Sequence, residues 1–117
     1  MKIITETLTI DELKQMAACM FGNLVKAVVD VERGLIAVDA ELHSDLETAL
    51  LENGSKQRDL WGVNFYPEAN GDEFIEFDSI VNIRPSQGNR SRGVENSEIR
   101  KKIIEITTKK IRPFLKG

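Results

Sequence analysis

The chain has 117 residues, 41% apolar and 30% charged, with one Cys and one His. That length buries a core without disulfides or a structural metal, and the composition excludes a disordered or fibrous protein. The single Cys19 cannot close an internal disulfide, Cys19 and His43 alone cannot build a zinc cluster, and no apolar run nears the ~18–20 residues of a membrane span.

The start, Met1-Lys2-Ile3-Ile4-Thr5-Glu6, turns polar too early for a secretory leader. A cytoplasmic single domain over residues 1–117 is expected, with no metal, no cofactor and no membrane partner. The net charge of −3 hides a polarised chain. Residues 1–83 hold 6 Lys/Arg against 16 Asp/Glu, whereas residues 84–117 hold 10 against 3. Such asymmetry suits an anionic partner or the association of unlike faces, and it is equally met if the basic tail neutralises the acidic body.

Ile3–Leu8 reads as a first strand. Thr9 and Glu12 have the capping-box spacing and open a helix whose apolar face is Ile10, Leu13, Met16, Ala17, Met20 and Phe21, with Gly22 as its stop. Cys19, with no cation or His beside it in sequence, reads as a buried thiol.

Residues 25–42 read as a hairpin around Arg33-Gly34, with Val31 opposite Ile36, Val29 opposite Val38, Ala27 opposite Ala40 and Val25 opposite Leu42. Its apolar face should pack on helices and its other face should be wet. Ser44 and Glu47 repeat the capping-box spacing for a short helix ending at Asn53-Gly54. Leu60–Tyr66 reads as a strand with Trp61, Val63 and Phe65 on one side. Pro67–Asp72 is a turn, and Phe74–Arg84 reads as a long strand with Ile75, Phe77, Val81 and Ile83 inward and Glu76, Asp78, Asn82 and Arg84 outward.

A last helix runs from Asn96 or Ser97 to about Ile111, with Ile99, Ile103, Ile106 and Ile111 as its stripe and Pro113 as its stop. The order β-α-β-β-α-β-β-α predicts an α+β two-layer sandwich, with an antiparallel sheet of four to five strands and three helices.

The segment with the most chemistry is Arg84-Pro85-Ser86-Gln87-Gly88-Asn89-Arg90-Ser91-Arg92-Gly93. Guanidiniums match phosphate or carboxylate oxygens in pairs, glycines let backbone N–H groups turn to a ligand, and the loop feeds a helix N-terminus. It is neither a P-loop nor a dinucleotide fingerprint.

The expected site is a small anion held by Arg84, Asn89, Arg90 and Arg92, with Asn64 and Asp78 of the outer sheet face orienting the arginines. The other reading of the same arginines is structural, as ties to Asp30, Glu76 and Asp78 of the acidic body. Nucleic acid is the less favoured anion, because no aromatic in the loop can stack bases and the sequence pI is about 5.2. His43, beside Glu41 and Asp45, reads as a surface or capping residue; the other reading is a metal-assisted hydrolase or phosphodiesterase using it or the Glu76/Asp78 pair. A third class is an interaction module or homo-oligomer, in which the basic tail of one copy meets the acidic body of another.

The strings Val25–Asp30, Glu41–Asp45, Leu51–Ser55, Leu60–Pro67, Ile75–Asp78, Asn82–Pro85 and Gly88–Arg92 together resemble a family of small uncharacterised prokaryotic proteins, a domain of unknown function about the size of this chain. The resemblance implies a stand-alone prokaryotic domain. It brings no activity, cofactor or catalytic residue with it.

Overall fold

The computed structural model describes residues 1–112. The chain forms β1 (Lys2–Ile4), β2 (Leu8–Thr9), α1 (Ile10–Cys19), β3 (Val25–Asp30), β4 (Leu35–Val38), α2 (His43–Glu52), β5 (Leu60–Phe65), β6 (Ile75–Glu76), α3 (Ser97–Lys110) and β7 (Ile111–Arg112). Five strands make one antiparallel sheet in the order β1-β4-β3-β5-β6, and β2 pairs with β7 in parallel as a small second sheet. The α+β architecture with three helices is as the residue pattern predicts. The first strand is not continuous: it breaks after Ile4, and Leu8 pairs with Ile111. Pro113 lies outside the described residues, as does Lys116 of the basic tail.

Local chemistry explains most boundaries. Thr9 Oγ1 accepts from Glu12 N while Glu12 Oε1 accepts from Thr9 N, so the expected capping box forms. Asn96 Oδ1 accepts from Glu98 N and Ile99 N to start α3. The Ser44 cap does not form. The second helix starts two residues earlier, at His43, with Leu42 in the cap position in place of Ser44 and no side-chain cap. His43 Nε2 lies 2.8 Å from the Val63 carbonyl, and this tie to β5 sets where the helix begins.

The hairpin of β3 and β4 also closes differently. Asp30 Oδ1 accepts from Glu32 N and Arg33 N, each at 2.9 Å, and Gly34 N donates to Asp30 O. These bonds shape a four-residue turn over residues 31–34 and place Val29 opposite Ile36 and Ala27 opposite Val38. The slip from the expected pairing is two residues, so every side chain keeps its face.

On one face, Ala27, Val29, Ile36, Val38, Trp61, Val63 and Phe65 pack against Leu13 and Ala17 of α1 and Ile103 of α3. Met20 and Phe21 are exposed, and so is Cys19, contrary to the buried thiol expected of it. The opposite face is not wet throughout. Val28, Ala37 and Leu60 form a second core with Leu46 and Leu50 of α2, and Asp30 is fully buried with Oδ2 accepting from Ser55 Oγ at 2.6 Å.

The largest departure is the expected long strand over Phe74–Arg84. It pairs with β5 only at Ile75 and Glu76, and a 3₁₀ turn follows at Ile80–Asn82. Asn82, expected outward, is fully buried, while Ile83, expected inward, is 43% exposed. Gly62 is the cause. A Cβ there would sit 2.6 Å from Ser79 Cβ, so only glycine lets the segment settle on the sheet. Asn82 then supplies what a strand would have supplied: its Oδ1 accepts from Gly62 N at 2.8 Å and its Nδ2 donates to Gly62 O at 2.9 Å.

Asn82→Ala strips partners from both polar groups of Gly62 and from the Arg92 carbonyl. It should lower the unfolding free energy in urea by about 2–4 kcal/mol. Thr9→Ala, at an exposed cap, should cost only about 1 kcal/mol. Equal losses would mean that Asn82 does not hold the edge of β5.

Candidate functional site

Loop 84–93 is a closed structure. Arg84 and Asn89 bridge backbone to backbone at 2.7 and 3.1 Å around the 3₁₀ turn Pro85–Gln87, and Gly88 at φ 79° completes the turn in the left-handed region. Arg84 Nη1 and Nη2 donate to the carbonyls of Gln57 and Leu60, and its Cζ stands 4.2 Å from the centre of the Trp61 ring. Burial pushes this guanidinium below its usual pKa, while the charges of Glu47 and Asp59 act the other way. Asn89 is buried, with Nδ2 donating to the carbonyls of Asn82, Ser91 and Gly93 and Oδ1 accepting from Glu95 N. Both side chains are spent on holding the loop.

The backbone nest expected to take an anion already holds one. Glu95 Oε2 accepts from Arg90 N at 2.8 Å and from Ser91 N at 2.9 Å. The N–H of Ser91, then that of Arg90 and the Ser91 hydroxyl, hold the Glu95 carboxyl below the usual carboxylate range. Sequence reasoning missed Glu95. Its signal was an acid four and five residues after the two N–H groups of a glycine-bearing loop.

Arg90 and Arg92 remain at the surface. Arg92 Nε pairs with Asp78 Oδ1 at 2.6 Å, both side chains being about half exposed, and the Arg90 guanidinium makes no hydrogen bond or ion pair among the described residues.

The loop borders the half of the sheet that α2 leaves uncovered. Lys26, Asn64 and Glu76 stand opposite one another on β3, β5 and β6. Asn64 Nδ2 donates to Glu76 Oε1 at 2.9 Å and to the Asp78 carbonyl at 3.3 Å, and the Tyr66 hydroxyl donates to the same Glu76 oxygen. Partial burial and that bond hold the Tyr66 hydroxyl above its usual pKa. Asn64 is 7% exposed, yet its Oδ1 is buried without a hydrogen-bond partner among the described residues.

His43 completes the cluster instead of lying at the surface. The Val63 carbonyl can only accept, so Nε2 carries the proton and Nδ1 is left as an acceptor. Burial, and next to it the bond to Val63, dominate its titration, with burial pushing the imidazole below its usual pKa; Lys26, Asp78 and Arg92 are the charges it feels. The structure thus gathers Asn64, Asp78 and Arg92 with His43, Lys26, Tyr66 and Glu76, sets Arg90 beside them in sequence, and assigns Arg84 and Asn89 to the scaffold. Among the described residues no three His, Cys, Asp or Glu side chains are placed to hold a metal ion.

The model of a protein family of unknown function, DUF5674, matches residues 2–110. The chain belongs to this family. No curated protein and no solved structure matches it significantly. In this DUF5674 chain the family's match spans both the loop and the polar half-face. Among the described residues, no helix is long and apolar enough to cross a membrane.

The His43 pKa is lowered from 6.5 in the folded chain, so the unfolded chain binds the proton more readily. Stability is therefore full above about pH 6.5 and falls as the pH drops towards the folded value. His43→Gln should remove that part of the slope in urea unfolding measured between pH 7.5 and 5; an unchanged slope would place the titration elsewhere.

Proposed function

We propose that this DUF5674 domain binds a small anionic ligand, phosphate- or carboxylate-bearing, where loop 84–93 meets the open half of the sheet. Arg90 and Arg92 supply the charge, and Asn64 and Asp78 supply the floor. The observation that carries this reading is Arg90: an exposed guanidinium that makes no hydrogen bond or ion pair among the described residues and acts on Glu95 only through its charge, on a loop where Asn89 and the Arg90 and Ser91 N–H groups are tied. Beside it, the Arg92–Asp78 pair is exposed enough to open at little cost. The Glu95 carboxylate in the nest supports the reading further, because the loop already accommodates one oxyanion. Nucleic acid is the less supported anion, since loop 84–93 has no aromatic side chain. A prokaryotic cytoplasm stays part of the proposal, supported by the exposed free thiol of Cys19, which suits a reducing compartment.

A second reading is self-association through unlike charge. It is favoured by the outer face of α3, where Arg100, Lys102 and Lys109 are exposed and without ion pairs among the described residues. Sedimentation at low and moderate salt separates the two: a dimer that dissociates with salt supports self-association.

Titrating inorganic phosphate into the labelled protein by NMR tests the ligand reading. Wild type should show saturable shifts around residues 90–92, with Arg90→Ala and Arg92→Ala each weakening binding about tenfold. Both variants should melt within a few degrees of wild type, since surface changes stay near ±0.5 kcal/mol. Arg84→Ala should instead lose about 2 kcal/mol of stability, because two carbonyls and the Trp61 face lose their partner. Phosphate binding that is absent, or indifferent to Arg90 and Arg92, would sink the reading.

A further inference from the structure

The open half of the sheet offers acceptors that no group among the described residues uses. Asn64 Oδ1 is buried and unpaired although the rest of its amide is bonded. His43, 9% exposed, has its tautomer set by Val63, and its Nδ1 lone pair makes no hydrogen bond among the described residues. The two are neighbours in the fold, because His43 Nε2 bonds the carbonyl of Val63, the residue before Asn64 on β5. Each charge His43 feels belongs to a group next to Asn64: Lys26 is its strand partner, the Asp78 carbonyl accepts from its amide, and Arg92 pairs with Asp78.

A buried acceptor left unpaired costs about 1–3 kcal/mol, so its retention calls for an occupant that donates. Glu76 and Asp78 add carboxylate oxygens to the same rim, and carboxylates likewise accept. A bare oxyanion satisfies none of these groups.

We infer that the ligand carries hydroxyl groups next to its oxyanion, as a phosphorylated polyol does, and that His43 and Asn64 read those hydroxyls. The inference rests on the anion site proposed above and adds the identity of the ligand's other end. In the bound state the oxyanion takes Arg92 from Asp78. One hydroxyl donates to His43 Nδ1, another donates to Asn64 Oδ1, and the freed Asp78 carboxylate accepts from a third donor. Exchange of one exposed ion pair for another is nearly neutral, so discrimination falls on the hydroxyls.

Methyl phosphate and D-ribose 5-phosphate separate the two ends of the ligand, with O-phosphoserine as an ammonium-bearing control. By calorimetry on the full chain, ribose 5-phosphate should bind about tenfold more tightly than methyl phosphate, the value of one or two added hydrogen bonds. His43→Gln should cut the preference for ribose 5-phosphate over methyl phosphate severalfold, the contact to Asn64 keeping the remainder. His43 is the only histidine, so its imidazole ¹⁵N spectrum reports on wild type without any substitution. Ribose 5-phosphate should move the Nδ1 resonance, and methyl phosphate should not.

Equal affinities for the two phosphates, or a stationary Nδ1 resonance, would overturn this inference and leave the anion site standing. Tighter binding of O-phosphoserine than of ribose 5-phosphate would overturn the polyol in favour of an ammonium ligand. Failure of both phosphates to bind would remove the anion site itself.

Discussion

The polar half of the sheet and the loop beside it hang from one side-chain amide. Strand β5 pairs fully with β3 but has a neighbour on its other edge only at Asn64 and Phe65. Buried backbone groups on an open edge must find partners. Asn82 provides both for Gly62, and the guanidinium of Arg84 takes the carbonyl of Leu60. Once Asn82 is seated, its Nδ2 also takes the Arg92 carbonyl, and its own carbonyl receives Asn89. The segment from Ser79 to Arg92 is therefore positioned by the edge it closes, and Arg92 comes to lie over Asp78 as a consequence.

The same economy explains why the arginines of the loop divide. Arg84 enters the structure between two carbonyls and an aromatic face, where a planar cation fits and an anion would have to displace three partners. Asn89 saturates three carbonyls at the centre of the loop, and Glu95 saturates two N–H groups at its end. What stays exchangeable is at the surface: an Arg90 guanidinium with no hydrogen bond or ion pair among the described residues, and an Arg92 held by one half-exposed carboxylate. Residue type alone could not make that division, because all three guanidiniums look alike in the sequence.

Legibility followed the range of the interaction that decides each feature. The capping box at Thr9, the Asn96 cap, the isoleucine stripe of α3 and the core side of β5 are set by neighbours within four residues or by period, and all were readable. The start of α2 depends on a bond from His43 to a residue 20 positions away, and the end of β6 depends on Ser79 reaching Gly62. No local pattern carries either. Alternation from Ile75 to Ile83 pointed to a strand, but the free energy of satisfying Gly62 outweighed the pattern and turned Asn82 inward. Of the side chains gathered on the polar half-face, Asn64, Asp78 and Arg92 were named from the residues. Burial of His43 and the self-occupied nest required the fold.

The contrast between the two kinds of polar contact is also what makes a site feasible here. A buried network such as Gly62–Asn82–Asn89 is costly to break and holds its geometry. The Arg92–Asp78 pair, about half exposed, is worth little and can trade its carboxylate for a ligand oxygen without loosening the loop, because the Arg92 carbonyl stays bonded to Asn82. In the proposed site, a loop backbone held by buried bonds carries an exchangeable head beside the buried Asn64 Oδ1 and the His43 ring, which would combine preorganisation with access. Binding at the proposed site would then not have to order the loop first, and the interaction free energy would go to the ligand rather than to the chain.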